Sequence, residues 1–248
     1  MQYRHESYGA SYDEIGVLTR LILSYKNIEL EGVMSHLADS DGNDSKSVEE
    51  AVKKFDQAVD KVFVCGASPI IFHIAQSAGS LKAKSKYANT IRLGIGLYGI
   101  NPFPIGHKLH ANLSGKLQPA MKLVSTITKV TDLKEGDQVG YNYTFTAHKS
   151  MRIGVLPLGY YEGVNRALSN VGSVKLGRAN LPIVGRICMN HTMIDLGTSK
   201  AKVGDKVVVY SNKTHDLNSI NSIAELHKLF SYNLLTSMSS DVRRALVE

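Results

Sequence analysis

Tyrosines bounded by glycines are the residues of this chain best suited to moving a proton. Tyr141 follows a glycine in the run Val139–Ala147, and Tyr160 follows another in the run Leu156–Arg166. A tyrosine at such a turn can present its hydroxyl to a cleft, and a phenol with a lowered pKa is a competent proton acceptor. Residue type and spacing alone leave a second interpretation open, because aromatic residues packed with glycine are more often turn and core residues.

The second set of candidate functional residues consists of one serine, one arginine and one histidine. Ser77 precedes Ala78-Gly79 directly after an apolar run, and small residues at the end of a parallel strand let a hydroxyl and backbone amides approach a phosphate. An ordinary turn has the same composition. Arg92 stands in an apolar run and His36 ends another; a buried arginine needs a partner, and a lone histidine is more often structural than catalytic.

Alternating helical and strand-like segments must position these residues in the first hundred positions. Apolar residues at three- and four-residue spacing predict helices over Tyr12–Lys26 and Ser47–Val64. Short apolar runs predict strands over Leu30–His36, Ile70–Ala75 and Thr90–Gly94. The alternation predicts βα units on a parallel sheet.

The sequence changes to β-branched runs beyond about residue 110, so we expect one domain over 1–110 and a mainly β domain over 111–248. Turn signals of the Gly-Asp type separate β-branched runs in this second part. A helix is expected over Ile220–Leu229. The predicted strands are Lys122–Val130, Met151–Leu156, Ser173–Leu176, Leu181–Arg186 and Asp205–Tyr210.

Composition excludes several classes of protein. The 248 residues are 43% hydrophobic and carry a formal net charge of +7, but the lysines are scattered and no basic stripe interleaved with aromatics indicates nucleic-acid binding. Apolar stretches are too short for a membrane span, and the first residues do not resemble a secretory signal, so a cytoplasmic location is expected. Cys65 and Cys188 are too few for a disulfide framework, and no motif predicts a metal site.

Six ordered segments resemble the alanine racemase family. Three lie in the β part and include the Tyr141 turn, the Gly-Tyr-x-Glu-Gly segment and the Pro-Ile-Val-Gly-Arg-x-Cys-Met segment, and three lie in the βα part. The resemblance implies an α/β part, the C-terminal portion of a (β/α)8 TIM-type barrel that binds pyridoxal 5′-phosphate (PLP), followed by a β-rich C-terminal domain. The six segments are Leu30–Ala38, His73–Ala78, Arg92–Gly99, Val139–Ala147, Leu156–Arg166 and Ile183–Asn190.

The resemblance also implies catalytic roles. Tyr141 resembles the base that removes the α-proton on one face of the substrate, His36 resembles its hydrogen-bond partner, and Arg92 resembles the guanidinium that faces the pyridine nitrogen of PLP. The backbone N–H of Met189 and the side chain of Arg4 resemble groups that hold the substrate carboxylate. The residues that resemble phosphate ligands are Ser77, Gly94, Ile95 and Tyr160.

Several positions depart from the family pattern. Gln76 stands where Asn is common, and Asn190 stands where Asp usually follows the Cys-Met pair. Ser240 stands where a Tyr is frequent and Arg243 where a Pro is, and the match of Arg4 needs a gap. No lysine here has the Lys-Ala-Asn-Ala-Tyr-Gly-like surroundings of the residue that carries PLP in the family, so the chain is expected to begin inside the barrel, after about five of its strands.

The implied activity is the interconversion of L- and D-alanine for cell-wall precursors. The family is a homodimer in which the β domain of one subunit closes the barrel mouth of the other, so Tyr141 is expected to act across the interface. Without a PLP lysine, the 248-residue polypeptide is expected not to racemise by itself. Two alternatives stay open: a catalytically silent remnant or interaction module of the same family, and a racemase for another amino acid such as serine or lysine.

Overall fold

The computed structural model describes residues 9–246. The chain divides into two compact units, one that runs to Leu97 and includes Asn101–Lys116, and one made of Tyr98–Ile100 and the chain from Leu117 onward. Between residues 9 and 246, no helix is both long enough and apolar enough to cross a bilayer.

Helices of the first unit include the two that apolar spacing predicts. Helix α1 spans Tyr12–Ser24 and starts with a capping box, in which the Ser11 hydroxyl and the Glu14 carboxylate satisfy each other's backbone N–H. Helix α2 spans Lys46–Val64, and its buried face packs on a core that includes Leu37, Phe72 and Ile74. Both predicted helices are confirmed. A six-residue helix, α3, follows at Lys108–Leu113.

The strands of the first unit are shorter than predicted. Strand β1, Gly32–Met34, pairs in parallel with β2, Ile71–His73. The strand predicted over Thr90–Gly94 is wrong: only a parallel bridge between Gln76 and Arg92 forms there, and a 3-10 turn follows at Ile95–Tyr98. The physical reason is that the hydroxyl of Ser77 accepts the N–H groups of Gly94 and Gly96, which are therefore not paired with a neighbouring strand.

The second unit is built mainly from β-strands, as predicted, and its named strands pair in antiparallel fashion. The strands are β3 Leu123–Thr126, β4 Lys129–Leu133, β5 Gln138–Val139, β6 Phe145–Thr146, β7 Met151–Leu156, β8 Ser173–Leu176, β9 Ala179–Pro182, β10 Thr192–Asp195 and β11 Lys206–Tyr210. One sheet has the order β10-β7-β4, another has the order β3-β11-β8-β9, and β5 and β6 form a hairpin.

Two differences from the expected elements have local causes. The single strand predicted over Lys122–Val130 is divided at the fully buried Ile127, whose N–H bonds to Asp205, whereas the next N–H bonds to Val155 in another sheet. The C-terminal part contains two helices instead of one, α4 Ile220–His227 and α5 Ser231–Thr236. They are separated because Lys228 adopts a left-handed conformation that ends α4.

Candidate active site

The guanidinium of Arg92 joins the segments that leave the two parallel strands of the first unit. Its Nη2 donates to the carbonyl oxygen of Ser35 at 2.7 Å and lies 2.9 Å from Nδ1 of His36. Its Nη1 contacts Nδ1 of His73 and donates to the carbonyl oxygen of the same residue at 3.3 Å. Ser35 and His36 follow β1 and His73 ends β2, so one side chain ties together both strand ends.

Burial, together with the charge of this arginine, sets the protonation state of the two histidines. Burial and then the neighbouring Arg92 charge lower the pKa of both His36 and His73, so both rings are neutral at neutral pH. A neutral imidazole that accepts a hydrogen bond through Nδ1 carries its proton on Nε2. The arrangement therefore makes the Nε2–H of His36 a fixed hydrogen-bond donor. Partial burial also lowers the pKa of Arg92, which stays a cation because its reference pKa is far above neutrality.

Ser77 lies in a backbone cradle after β2. Its hydroxyl oxygen accepts the N–H of Gly94 at 3.0 Å and the N–H of Gly96 at 3.1 Å, and the residue is buried. A Cβ at position 96 would lie 3.2 Å from that hydroxyl, which shows how closely the backbone approaches it. Because a hydroxyl oxygen has two acceptor positions and both are taken, its proton is left to donate. The buried Ile95 stands between the two glycines.

The turn that carries Tyr141 in the second unit is conformationally strained. It connects β5 to β6, and Gly140, Asn142 and Tyr143 all have positive φ angles, of 79°, 60° and 49°. Non-glycine residues adopt this region at an energetic cost, which folded proteins often accept at functional sites. The turn leaves Tyr141 with 67% of its surface exposed.

Tyr160 and Met189 lie on two loops that hydrogen-bond to each other. The N–H of Tyr160 donates to the carbonyl oxygen of Cys188 at 3.1 Å, and the next N–H along the chain donates to the carbonyl oxygen of Met189 at 3.0 Å. The carboxylate of Glu162 adds a second link, since it accepts the side-chain N–H of Asn190 and the N–H of Gly159, both at 2.7 Å. Tyr160 and Met189 are 42% and 52% exposed.

The predicted residues are thus divided between the two units. The first unit holds His36 and Arg92 in contact, with Ser77, Gly94 and Ile95 in the cradle beyond them. The second unit holds Tyr141, Tyr160 and Met189, and Arg4 lies outside the described residues. Within residues 9–246, no three His, Cys, Asp or Glu side chains gather closely enough to hold a metal ion.

Two contributors to these groups had no predicted role. His73 contacts Arg92, and its position at the end of a strand, like that of His36, was the signal that could have identified it. Glu162 links the two exposed loops through Asn190, a partner 28 residues away that local sequence does not indicate.

Comparison with known proteins explains this arrangement. The family model for the alanine racemase C-terminal domain matches residues 120–246, and the model for the alanine racemase N-terminal domain matches residues 5–102. An alanine racemase of Lactobacillus acidophilus is 34% identical over 219 residues, which is 88% of this chain and 57% of that protein.

Solved structures give the same result for the fold. Alanine racemase from the D-cycloserine producer Streptomyces lavendulae matches with a TM-score of 0.84 at 23% identity. Alanine racemase from Bartonella henselae, solved with covalently bound pyridoxal phosphate, matches with a TM-score of 0.77 at 22% identity. In both cases 96% of this chain and 62% of the other chain are covered.

These matches confirm the predicted fold class, part of a (β/α)8 barrel followed by a β-rich domain. The chain spans between 57% and 62% of the length of the three relatives. The two family models together match almost the whole sequence. The chain therefore belongs to the alanine racemase family.

Proposed function

We propose that the protein acts as an alanine racemase, which interconverts L- and D-alanine with PLP as cofactor. The observation that carries the proposal is the 2.9 Å contact between Arg92 and Nδ1 of His36 beyond the end of β1. This contact gives a fixed cation beside a neutral ring whose remaining proton can be donated. The proposed reaction is inferred from the family to which the chain belongs. We also propose that residues 1–110 form the barrel part of the protein and residues 111–248 its β domain.

The residues present fit the phosphate of PLP. Ser77 has a hydroxyl proton left to donate, and the backbone at Gly96 approaches that hydroxyl closely. An anionic phosphate is suited to such donors. By analogy with the family, the phosphate ligands that we propose are Ser77, Gly94, Ile95 and Tyr160.

Arg92 fits the pyridine ring of PLP. A guanidinium has five N–H groups, and the four on its terminal nitrogens match the four contacts with Ser35, His36 and His73. The Nε–H is therefore the donor left for the pyridine nitrogen, and the positive charge of Arg92 opposes protonation of that nitrogen. When bound, PLP withdraws electrons from the α-carbon of the amino acid and so lowers the cost of removing its proton.

Protein side chains would move and guide that proton. Tyr141 would remove it on one face of the substrate and return it for the other enantiomer, with the Nε2–H of His36 directed to the phenol oxygen. The N–H of Met189 and the side chain of Arg4 would hold the substrate carboxylate. By analogy with the family, Tyr141 would work with His36 of a second copy in a homodimer. The second base, a lysine in the family, is not assigned to any residue of this chain.

A cytoplasmic location and a role in supplying D-alanine to cell-wall precursors are part of the same proposal. They rest on the family to which the chain belongs.

The test uses the protein as its cell produces it, loaded with PLP, and follows conversion of L-alanine to D-alanine. Tyr141→Phe removes the proposed base, so kcat should fall by about 100-fold or more. Tyr143→Phe is the matched control, because Tyr143 lies in the same turn and is equally exposed, at 67%. It should change kcat by no more than about threefold.

Three results would contradict the proposal. Faster turnover of serine or lysine than of alanine would change the substrate, and equal effects of the two tyrosine substitutions would remove Tyr141 from its role. No racemisation by a protein whose complete reading frame includes a PLP lysine would favour the catalytically silent alternative. The 248-residue polypeptide by itself is expected not to racemise alanine.

A further inference from the structure

Gln76 lies three positions beyond the end of β2, where the backbone pairs with Arg92. The two residues form a parallel β-bridge, and the N–H of Arg92 donates to the carbonyl oxygen of Ala75 at 3.0 Å. Arg92 is not in a strand, so this bridge is the local backbone pairing that holds it beside β2. A displacement of Gln76 would therefore displace the guanidinium.

The side chain of the same residue sets the place of the His36 segment. Nε2 of Gln76 donates to the carbonyl oxygen of Leu37 at 3.1 Å and to the hydroxyl of Ser40 at 2.6 Å. Both partners are buried, with 2% and 1% of their surface exposed. Leu37 directly follows His36, so this amide fixes the backbone from which the imidazole projects.

Close packing leaves little freedom at this contact. A Cβ added at Gly79 would lie 2.6 Å from Cδ1 of Leu37 and 2.7 Å from Oε1 of Gln76, so a larger residue there would have to displace these side chains. Oε1 is buried, and no residue in the described part of the chain donates to it. The amide cannot be reversed, because an oxygen would then face the carbonyl oxygen of Leu37.

We propose that Gln76 is a positioning residue that fixes the contact between Arg92 and His36, and thereby which ring nitrogen of His36 carries the proton. Arg92 pairs with the backbone at this position through the carbonyl oxygen of Ala75, and the side chain of Gln76 holds the segment that carries His36. An asparagine at this position would be shorter by about 1.5 Å, one carbon–carbon bond, and could not reach both Leu37 and Ser40 from the same backbone. The inference rests on the proposed function only for its catalytic consequence, since the contact itself can be measured without turnover.

The experiment is a nuclear magnetic resonance titration of the histidine rings in the 248-residue protein, with His36 assigned by the signal lost in His36→Gln. In Gln76→Ala the segment is released, so the ring should move away from Arg92 and become more solvated. The titration midpoint of His36 should rise by about half a pH unit or more. Its nitrogen shifts should change from a single neutral tautomer to a mixture.

A matched control separates positioning from general loss of stability. Asn89→Ala also removes an amide that bonds two backbone groups, because Asn89 accepts the N–H of Phe72 at 2.9 Å and donates to the carbonyl oxygen of Ile70 at 2.8 Å. It should lower the melting temperature and leave the His36 midpoint unchanged. Ser40→Ala is a milder variant that removes one of the two acceptors, and a smaller rise in the midpoint is expected.

Two outcomes would overturn the inference: a His36 midpoint and tautomer that do not change in Gln76→Ala and Ser40→Ala, or an equal change in Asn89→Ala. If Gln76→Ala does not fold, Ser40→Ala and Asn89→Ala still decide the question. Failure of the racemase proposal would not affect this result, because the titration needs neither substrate nor PLP. Conversely, an active racemase with an unshifted His36 in these variants would refute the role of Gln76 alone.

Discussion

The carboxylate of Glu162 accepts a hydrogen bond from the side-chain amide of Asn190 at 2.7 Å. The same carboxylate accepts the N–H of Gly159 at 2.7 Å, so it joins the loop that carries Tyr160 to the loop that carries Met189. The family usually has an acid where this chain has Asn190. Here the amide supplies a proton that a second carboxylate could not supply at neutral pH.

Asn190→Asp should therefore destabilise the second unit. It places two carboxylates face to face, with an expected loss of about 1 kcal/mol at pH 7. Urea unfolding at pH 7 measures the loss. The double variant Glu162→Gln with Asn190→Asp again pairs an amide with a carboxylate and should recover stability; no recovery would show that the contact contributes nothing.

Tyr210→Phe tests the hydrogen bonds that hold the segment after Tyr160. The fully buried hydroxyl of Tyr210 donates to the carbonyl oxygen of Gly163 and accepts the N–H of Asn165, both at 3.0 Å. Removing it leaves two backbone groups without their partner, which should cost about 1–3 kcal/mol in unfolding free energy. Tyr161→Phe is the matched control, since it removes an exposed bond to Asp241 and should cost less than about 1 kcal/mol. Equal losses would contradict the role assigned to burial.

Tyr210 should also make stability depend on alkaline pH. Burial raises its pKa from 10.0 to about 12. Because the folded pKa lies above the unfolded one, this contribution is fully present below pH 10 and is lost as the pH rises toward 12. Unfolding curves between pH 9 and about 11.5 should show a weaker fall in stability for Tyr210→Phe than for the unsubstituted protein. Parallel falls would argue that Tyr210 ionises normally in the folded state.

Arg92→Gln should change the acid dependence of the first unit. Burial and the Arg92 charge lower the pKa of His36 and His73, so the unfolded chain binds more protons and stability falls as the pH drops through about 6.5. Without the charge, both pKa values should rise and the fall in melting temperature between pH 7.5 and 5 should be smaller. Arg20→Gln makes the same charge change at an exposed site of this unit. If Arg20→Gln reduced the fall in melting temperature by the same amount, the net charge of the protein would be responsible, and not the contact of Arg92 with the two histidines.

Gly140→Ala should disturb the Tyr141 turn by strain and by collision. Gly140 has a φ of 79°, and an added Cβ would lie 2.8 Å from the backbone nitrogen of Arg186. Gly136→Ala is the control, because Gly136 has a φ of 89° with nothing within 4 Å of the added atom. The control should lose about 1 kcal/mol and Gly140→Ala about twice that, measured by urea unfolding. Equal losses would show that the contact with Arg186 relaxes freely.

Local sequence determined the elements whose signals are local. Apolar spacing located α1 and α2, and β-branched runs located most strands of the second unit, because helix and strand periodicity depend on which face is buried. The ordered motifs identified the family and named His36, Arg92 and Tyr141. The apolar run before Gly94 was misread as a strand because the competing acceptor, the hydroxyl of Ser77, lies 17 residues away.

Only the tertiary structure decided how distant residues meet. Arg92 reaches the carbonyl of Ser35 across 57 positions, and Glu162 finds Asn190 across 28. Such pairs depend on how strands pair and loops pack, and the periodicity of apolar residues in the sequence does not indicate either. For the same reason, the sequence predicted only that a buried Arg92 needs a partner. The fold shows that its partners are carbonyl oxygens and neutral imidazoles. That choice leaves its charge available to a ligand, because none of these partners carries an opposite charge.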